Sequence, residues 1–409
     1  MNKKLSLLIF IFFIQGIVSN MHHPLMPSYV QSLGLPNYMF GFFFAFMNMG
    51  TMFGGPFWGN LGDQGKKKFV VIIGFIIYGL NQMFFGMGQI FNQWFLSIFR
   101  FLSGFGIAAA LTVIAGEIII ISPSDKRTRN IAFGAASLAL GGSVGQFLGG
   151  FIHTNQFLIK VLKTNSFFNA LLVQCVLVLL LAFFTFLTFK PEENNKKGNQ
   201  KRVQFWEGFK EIKNIKIDLL FFLLALSFIT IAATNVDKYL DIYFVSLGYK
   251  ANKLGNFKMI VGLVSIIASI VLVPLVMKIR KPLLLISILQ ILSAIIIFVV
   301  FNSPSSKFIT YIYSIFMIYI IFKALYEPLE RDYIANYSTM DNIATTMGIR
   351  QSFFSMGTII GPIFGAFLYD YNSILVFNVS VIIYVVSVFL LIISNMLKKR
   401  NKVEININD

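Results

Sequence analysis

Asp237 and Asp241 lie four residues apart inside a long apolar run, a spacing that sets both carboxylates on one face of a helix. Two neighbouring carboxylates, or one in a desolvated site, hold protons near neutral pH, so either is a candidate proton carrier. The plainer alternative is that Asp237, Lys238 and Asp241 are interfacial and solvated. Arg100 sits inside another apolar run, and a charge at the bilayer centre costs at least ~2.5–3.5 kcal/mol and ordinarily faces a cavity. Its guanidinium is read as inward-facing, binding an anionic group or pairing with a carboxylate; snorkelling to a helix end is the alternative. His22 and His23 titrate near neutral pH unperturbed, but as neighbours they point to different helix faces and make a poor metal site. Lys323 and Glu327, again four apart, are placed to neutralise one another.

No catalytic set accompanies these groups. The chain has no G-x-S-x-G, no H-E-x-x-H and no G-x-x-x-x-G-K-[ST], so neither enzymatic chemistry nor ATP is expected to drive it, and no cofactor or metal is called for. Cys175 is the single cysteine and lies in an apolar run, which excludes an intrachain disulfide. His153 is expected in an outside loop.

The elements that position these residues follow from composition. Of 409 residues, 56% are hydrophobic and 12% charged, with 47 Phe, far from the roughly 25% charge of soluble domains. Lipid is therefore the solvent for most of the chain. Apolar runs between turn and charge signals predict twelve transmembrane helices at roughly 5–30, 38–62, 68–90, 94–121, 129–152, 167–189, 217–246, 255–277, 281–301, 307–330, 343–369 and 373–397. The amino-terminal run resembles a signal peptide but lacks a small-residue cleavage site, so it reads as a retained first helix. The net charge of +17 would point to nucleic acid in a soluble domain. Here the basic residues collect in the even-numbered loops, as in Lys66, Lys67 and Lys68, Lys126, Arg127 and Arg129, and Lys398, Lys399 and Arg400. That bias places both termini in the cytoplasm and leaves no nucleic-acid partner.

The longest polar stretch, 190–216, opens on low-complexity PEENNKKGNQKR and continues with Trp206, Phe209, Ile212 and Ile215 at helical spacing. It is expected to hold an amphipathic helix in the cytoplasmic headgroup layer. It divides the chain into an N-terminal six-helix bundle (1–189) and a C-terminal one (217–397), followed by a cytoplasmic tail (398–409). An internal repeat supports the division: YVQSLGLPNYMFG at 29–41 and YFVSLGYKANKLG at 243–255 share Tyr, Ser-Leu-Gly and the final Gly. The same offset carries Gly134 onto Gly348 and sets Asp237 opposite His23. Parallel halves of this kind build many secondary transporters, with the substrate site between halves.

Between the second and third helices the sequence runs Gly59-Asn60-Leu61-Gly62-Asp63-Gln64-Gly65-Lys66-Lys67-Lys68. This resembles the loop 2–3 signature G-x-x-x-D-x-x-G-[RK]-[RK] of the major facilitator superfamily, with Gln64 where the family usually has Arg. Arg100, Gly104 and Gly106 are similar to its R-x-x-x-G-x-G element. Gly141, Gly145, Gln146, Gly149 and Gly150 resemble the G-x-x-x-G-P-x-x-G-G element of its antiporter branches, with Gln146 in place of Pro; Gly361-Pro362 and Gly365 recover that pattern in the eleventh helix. Small residues at this spacing are also ordinary close helix packing.

The resemblance implies a carrier working by alternating access, with helices 1, 4, 7 and 10 lining the cavity. His22 or His23, Arg100, Asp237 and Asp241 would then face one another. Glu117 and the Asp125–Arg129 run, including Arg127 and Arg129, are similar to the family's cytoplasmic acidic-to-Arg network; with Asp63 and Arg350 they would latch the halves on the inner side. The implied function is proton-coupled export of a small amphipathic molecule across the cytoplasmic membrane, by a monomer, with Phe42, Phe43, Phe46, Met47 and Met49 offering an apolar wall or lipid-facing filler. The alternative is an uptake carrier, by proton symport or uniport, for a sugar, organic anion or other metabolite.

Overall fold

A computed structural model describes residues 3–123, 127–162, 166–191, 216–279, 281–335 and 343–408. The expected amphipathic segment after residue 190 falls almost wholly outside them. The helices are α1 (Lys3–Ser32), α2 (Tyr38–Leu61), α3 (Lys67–Phe85), α4 (Gln93–Ile121), α5 (Arg127–Thr154), α6 (Ser166–Thr188), α7 (Ile217–Ser246), α8 (Ala251–Val271), α9 (Pro282–Phe301), α10 (Ile315–Ala335), α11 (Ile343–Tyr371) and α12 (Leu375–Asn408). Among the described residues ten helices are long and apolar enough to cross a membrane, and Ser305–Ile312 with α10, bent by 45°, forms an eleventh. α2, 24 residues long, falls short of that measure because its glycines, Asn48 and Pro56 dilute its hydropathy. The all-α membrane fold expected from the sequence is thus observed.

The departures have local causes. α1 is not continuous: it breaks after Asn20 into a 3₁₀ turn, His23–Leu25, before resuming at Met26. Pro24 and Pro27 remove two backbone donors there. α8 stops at Val271 before Pro274, α10 begins after a bend instead of at residue 307, and α12 continues helically to Asn408 through the expected tail. A short helix, Gln156–Leu162, precedes α6. His153 lies not in a loop but in the last turn of α5, stacked on Phe167 at 4.3 Å.

The chain forms two compact units. The first comprises Met1–Lys201 with Asp241–Leu263, the second Arg202–Leu240 with Val264–Asp409. In the first, Ile11, Val70, Phe75, Tyr78, Ile114 and Val178 form the centre of the core. In lipid the driving force for such packing is close van der Waals fit, so small residues decide where helices meet. Gly141, Gly145 and Gly149 lie one turn apart on α5, and a Cβ on any of them would strike the backbone carbonyl of Phe13, Ile17 or Met21 on α1. The second unit repeats the device: Gly357, Gly361 and Gly365 on α11 lie against Ser227, Ile231 and Tyr239 on α7. The two stripes correspond at an offset two residues longer than that of the 29–41 repeat. Gly65 takes φ +88° at the wide turn Gly62–Lys66 between α2 and α3, a conformation open to glycine alone at little cost.

Candidate functional site

The second unit contains a cavity of about 160 Å³ lined by α7, α10 and α11. Ile229, Thr230, Ala233 and Thr234 form its α7 wall and Phe354 its α11 wall. α10 contributes Lys323, Tyr326, Glu327 and Glu330, and α7 adds Asp237. Across the cavity wall Lys323 Nζ and Asp237 Oδ2 form an ion pair, each side chain 31% exposed. Lys323 therefore turns to α7 and not, as the sequence implied, to Glu327 on its own helix. The i, i+4 spacing places Lys323 and Glu327 on one face, but the approach of α7 supplies a closer carboxylate. Glu327 is half-buried and makes no hydrogen bond or ion pair among the described residues. Glu330, 2% exposed, is paired with Arg350 of α11. Asp237 and Glu330 thus each have a cation in direct contact, while Glu327 meets the Lys323 ammonium only at longer range.

Asp241 does not share Asp237's environment. It belongs to the first unit, 1% exposed, with Lys258 of α8 at 2.6 Å. The coupled carboxylate pair anticipated from their spacing is replaced by two separate ion pairs, each carboxylate taking a lysine from a different helix.

Arg100 is completely buried in the first unit. Gly104 brings α4 against the Met47 carbonyl of α2, and Gly106 brings it against Gly74 and Tyr78 of α3, so the motif glycines set the depth at which Arg100 projects. Its Nη1 donates to Gln82 Oε1 at 3.2 Å and its Nε to the Phe43 carbonyl at 3.4 Å. The guanidinium also lies 5.2 Å from the Phe85 ring and 5.7 Å from that of Phe44, within cation–π range. Among the described residues Nη2 has no hydrogen-bond partner and no carboxylate pairs with the group. The snorkelling alternative is excluded by its burial.

Gln82 joins Arg100 to His22, whose Nδ1 is 3.2 Å from Gln82 Nε2. The Tyr78 hydroxyl accepts from Gln82 at 2.9 Å and from Gln174 at 2.8 Å, and donates to the Ser19 carbonyl at the break in α1. His22 and His23, expected to diverge, stack on each other at 4.4 Å where α1 breaks at the 3₁₀ turn. His23 also stacks on Phe44. Among the described residues no three His, Cys, Asp or Glu side chains converge as a metal site.

On the motif side, Glu117 pairs with Lys67, both almost fully buried, while Lys66 is exposed. The side chains of Asp63, Arg127 and Arg129 lie outside what the structure describes; Glu117 and Arg350 each pair within their own unit, with Lys67 and Glu330 respectively. Gly59 faces Thr112 of α4 at ordinary contact distance, and the Pro362 carbonyl accepts from the buried Tyr239 hydroxyl at 2.6 Å. Sequence reasoning missed Gln82, Gln174, Lys258 and Glu330. The signal was available for the glutamines, which interrupt apolar runs, Gln82 one turn from Tyr78, but not for the partners of the two charges.

A polytopic helical protein with repeated glycine stripes, charged groups sheltered inside its helices and a polar cavity is a membrane carrier. The Major Facilitator Superfamily model matches residues 8–322, and the chain belongs to that family. It is 30% identical over 152 residues to the quinolone resistance protein NorA of Staphylococcus aureus (strain Mu50), a match spanning 37% of this chain and 39% of NorA. Among solved structures it resembles a bacterial homolog of the human lysosomal transporter Spinster in its inward-facing, unoccupied conformation, with a TM-score of 0.74 and 15% identity over 97% of this chain and 96% of that one. It also resembles a D-xylose–proton symporter, with a TM-score of 0.71 and 13% identity over 94% and 96% of the two chains. At such identity these two show the shared fold alone. The protein is a membrane transporter and not an enzyme.

Proposed function

We propose that the chain is a proton-coupled exporter of small amphipathic molecules, residing in the cytoplasmic membrane with both termini inside. Its working parts are two six-helix halves, divided by the 190–216 linker, that alternate access to the site. The observation that carries this reading is the half-exposed Lys323–Asp237 pair on a cavity wall that also presents Glu327, Tyr326 and Phe354.

A proton arriving at Asp237 removes the negative charge that holds Lys323; loss of that proton restores the pair. Each protonation state therefore prefers a different arrangement of α7 and α10, which is the requirement for coupling a proton to a conformational cycle. Glu327 supplies a carboxylate that a proton and a cargo cation can compete for, while Tyr326 and Phe354 provide aromatic surface for an apolar body. The partial likeness to NorA supports the export direction and the amphipathic cargo. Arg100 and His22, joined through Gln82, are a secondary charged group in the first unit.

Inside-out vesicles given an acidic lumen are expected to accumulate a lipophilic dye such as ethidium. Asp237→Asn should reduce this at least tenfold while leaving the protein folded. Equal accumulation after the proton gradient is collapsed would reassign the chain as a uniporter.

A further inference from the structure

The ion pair at the cavity does not sit among apolar residues alone. Tyr319, Lys323 and Tyr326 follow one another at i, i+4 and i+7 on α10, which puts both phenols on the face that carries the ammonium. Opposite them is Tyr384 of α12, a helix that contributes nothing to the cavity lining. All three phenols are buried: Tyr319 and Tyr384 show no exposed surface and Tyr326 only 3%. The Tyr384 hydroxyl lies 3.3 Å from that of Tyr319, and Tyr326 is within electrostatic reach of it. It is also within electrostatic reach of both Lys323 and Asp237.

Tyr384 belongs to a polar stripe along α12. Ser380, Ser387 and Ser394 recur on the same face, with Ser387 bonded to Gln290 and Ala225 and Ser394 to the Asp218 carbonyl. This face therefore looks into the unit, and Tyr384 is its member at the level of the ion pair. The charged and titratable groups around the pair are Asp237 and Lys238 from α7, Glu327, Glu330 and Arg331 from α10 with Tyr319 and Tyr326, Tyr384 from α12, and Arg350 from α11, which is occupied by Glu330. α9 carries no titratable side chain.

A phenol has one donor and two acceptor lone pairs, whereas an ammonium has three donors and no acceptor. With Tyr319 and Tyr326 flanking it, Tyr384 can give its proton to one phenol and still offer a lone pair to Lys323. From this geometry we infer that Tyr384 is a positioning residue: when Asp237 takes a proton and lets go of Lys323, the Tyr384 oxygen accepts the hydrogen bond and keeps the ammonium charged and in place. A buried ammonium without an acceptor would otherwise oppose protonation of its partner. This inference rests on Asp237 being the proton carrier.

The test is infrared titration of the purified full-length protein without substrate, following the carboxylic-acid C=O band that Asp237→Asn abolishes. Tyr384→Phe keeps the ring and deletes the acceptor, so the midpoint of that band should move toward acid by about one pH unit, a tenfold loss of proton affinity. Tyr319→Phe, which removes a hydroxyl partner of Tyr384 away from the cavity, should move it the same way by about threefold. In a Lys323→Met background Tyr384→Phe should have no effect, because no ammonium remains to be held. An unmoved midpoint in Tyr384→Phe, even with a lower melting temperature, would reduce Tyr384 to packing and overturn the inference. A shift in Glu327→Gln with none in Tyr384→Phe would transfer the role to Glu327 and overturn it as well. The absence of any band that depends on Asp237 would instead defeat the underlying assignment of the proton carrier.

Discussion

Glu330 of α10 and Arg350 of α11 form an ion pair in which both side chains are almost wholly buried. Arg350 also lies 5.6 Å from the Phe354 ring, so the same helix turn supplies a charge to Glu330 and an aromatic face to the cavity. Buried pairs of this kind are weak contributors when intact, because desolvation offsets the Coulomb attraction, but removing one member leaves an uncompensated charge. Their asymmetry makes the role of this one measurable.

Glu330→Gln is expected to destabilise the protein by about 3 kcal/mol, the lower end of the cost of breaking a buried pair. Arg350→Met should cost a similar amount, and Glu330→Gln with Arg350→Met less than either single change. Unfolding in mixed detergent micelles gives the three values directly. A double variant as unstable as the sum of the singles would mean that the two side chains act independently of one another.

The glycine stripes make a graded prediction. Gly145→Ala puts a methyl group onto the backbone carbonyl of Ile17, which cannot yield without moving α1. A loss of about 3 kcal/mol is expected, as for severe overpacking. Gly361→Ala meets its nearest atom, the Ile231 carbonyl, at 3.1 Å, and about 1 kcal/mol suffices there. A methyl group added at Gly116 would have nothing within 4 Å, so Gly116→Ala should stabilise α4 by up to about 1 kcal/mol through helix propensity. Melting temperatures that fail to follow the order Gly116, Gly361, Gly145 would remove the close-approach explanation for the stripes.

These cases also show what the sequence could disclose. The all-helical membrane fold and the inward-facing Arg100 were legible because insertion energetics act on each segment alone, and the small-residue spacing of α5 and α11 already specified close packing. Ion-pair partners were not legible. Lys323 had one candidate acid on its own helix, Glu327, and another 86 residues away, Asp237; periodicity weighs only the first. Asp237 and Asp241 look equivalent by spacing, yet Lys258 on α8 separates their fates. Pro24 marks the break in α1, whereas the stacking of His22 on His23 beside it has no counterpart on a uniform helical wheel.

Lys67 and Glu117 stand at the wrong ends of their helices. Lys67 begins α3, where the helix dipole favours an anion, and Glu117 lies one turn from the end of α4, where it favours a cation. Their mutual pairing offsets both penalties. Exchanging them in Lys67→Glu with Glu117→Lys preserves the pair and turns each dipole term from a cost of about 0.3–1 kcal/mol into a gain of similar size. The exchanged protein should be at least as stable as the parent, whereas either single change should be destabilised by about 3–5 kcal/mol. If stability survives the exchange and transport does not, the sign of charge at the α2–α3 turn matters to the conformational cycle and not to folding.

Arg100 allows a final separation of structure from function. It is fully buried, with only an amide oxygen, a carbonyl and two aromatic faces around its charge among the described residues. Holding a cation there without a carboxylate costs stability, so Arg100→Gln, which removes the charge and can still donate to Gln82, should unfold at the same temperature as the parent or higher. Dye accumulation driven by the proton gradient should nevertheless fall at least tenfold, because a cost retained at a buried site has a use only if the charge acts during the cycle. Arg100→Lys should not restore transport, since a single ammonium cannot reach Gln82 and the Phe43 carbonyl in the geometry of the planar fork. A parallel loss of stability and transport in Arg100→Gln would make the residue an anchor for α2, α3 and α4, and would leave the charged groups around Lys323 to account for coupling by themselves.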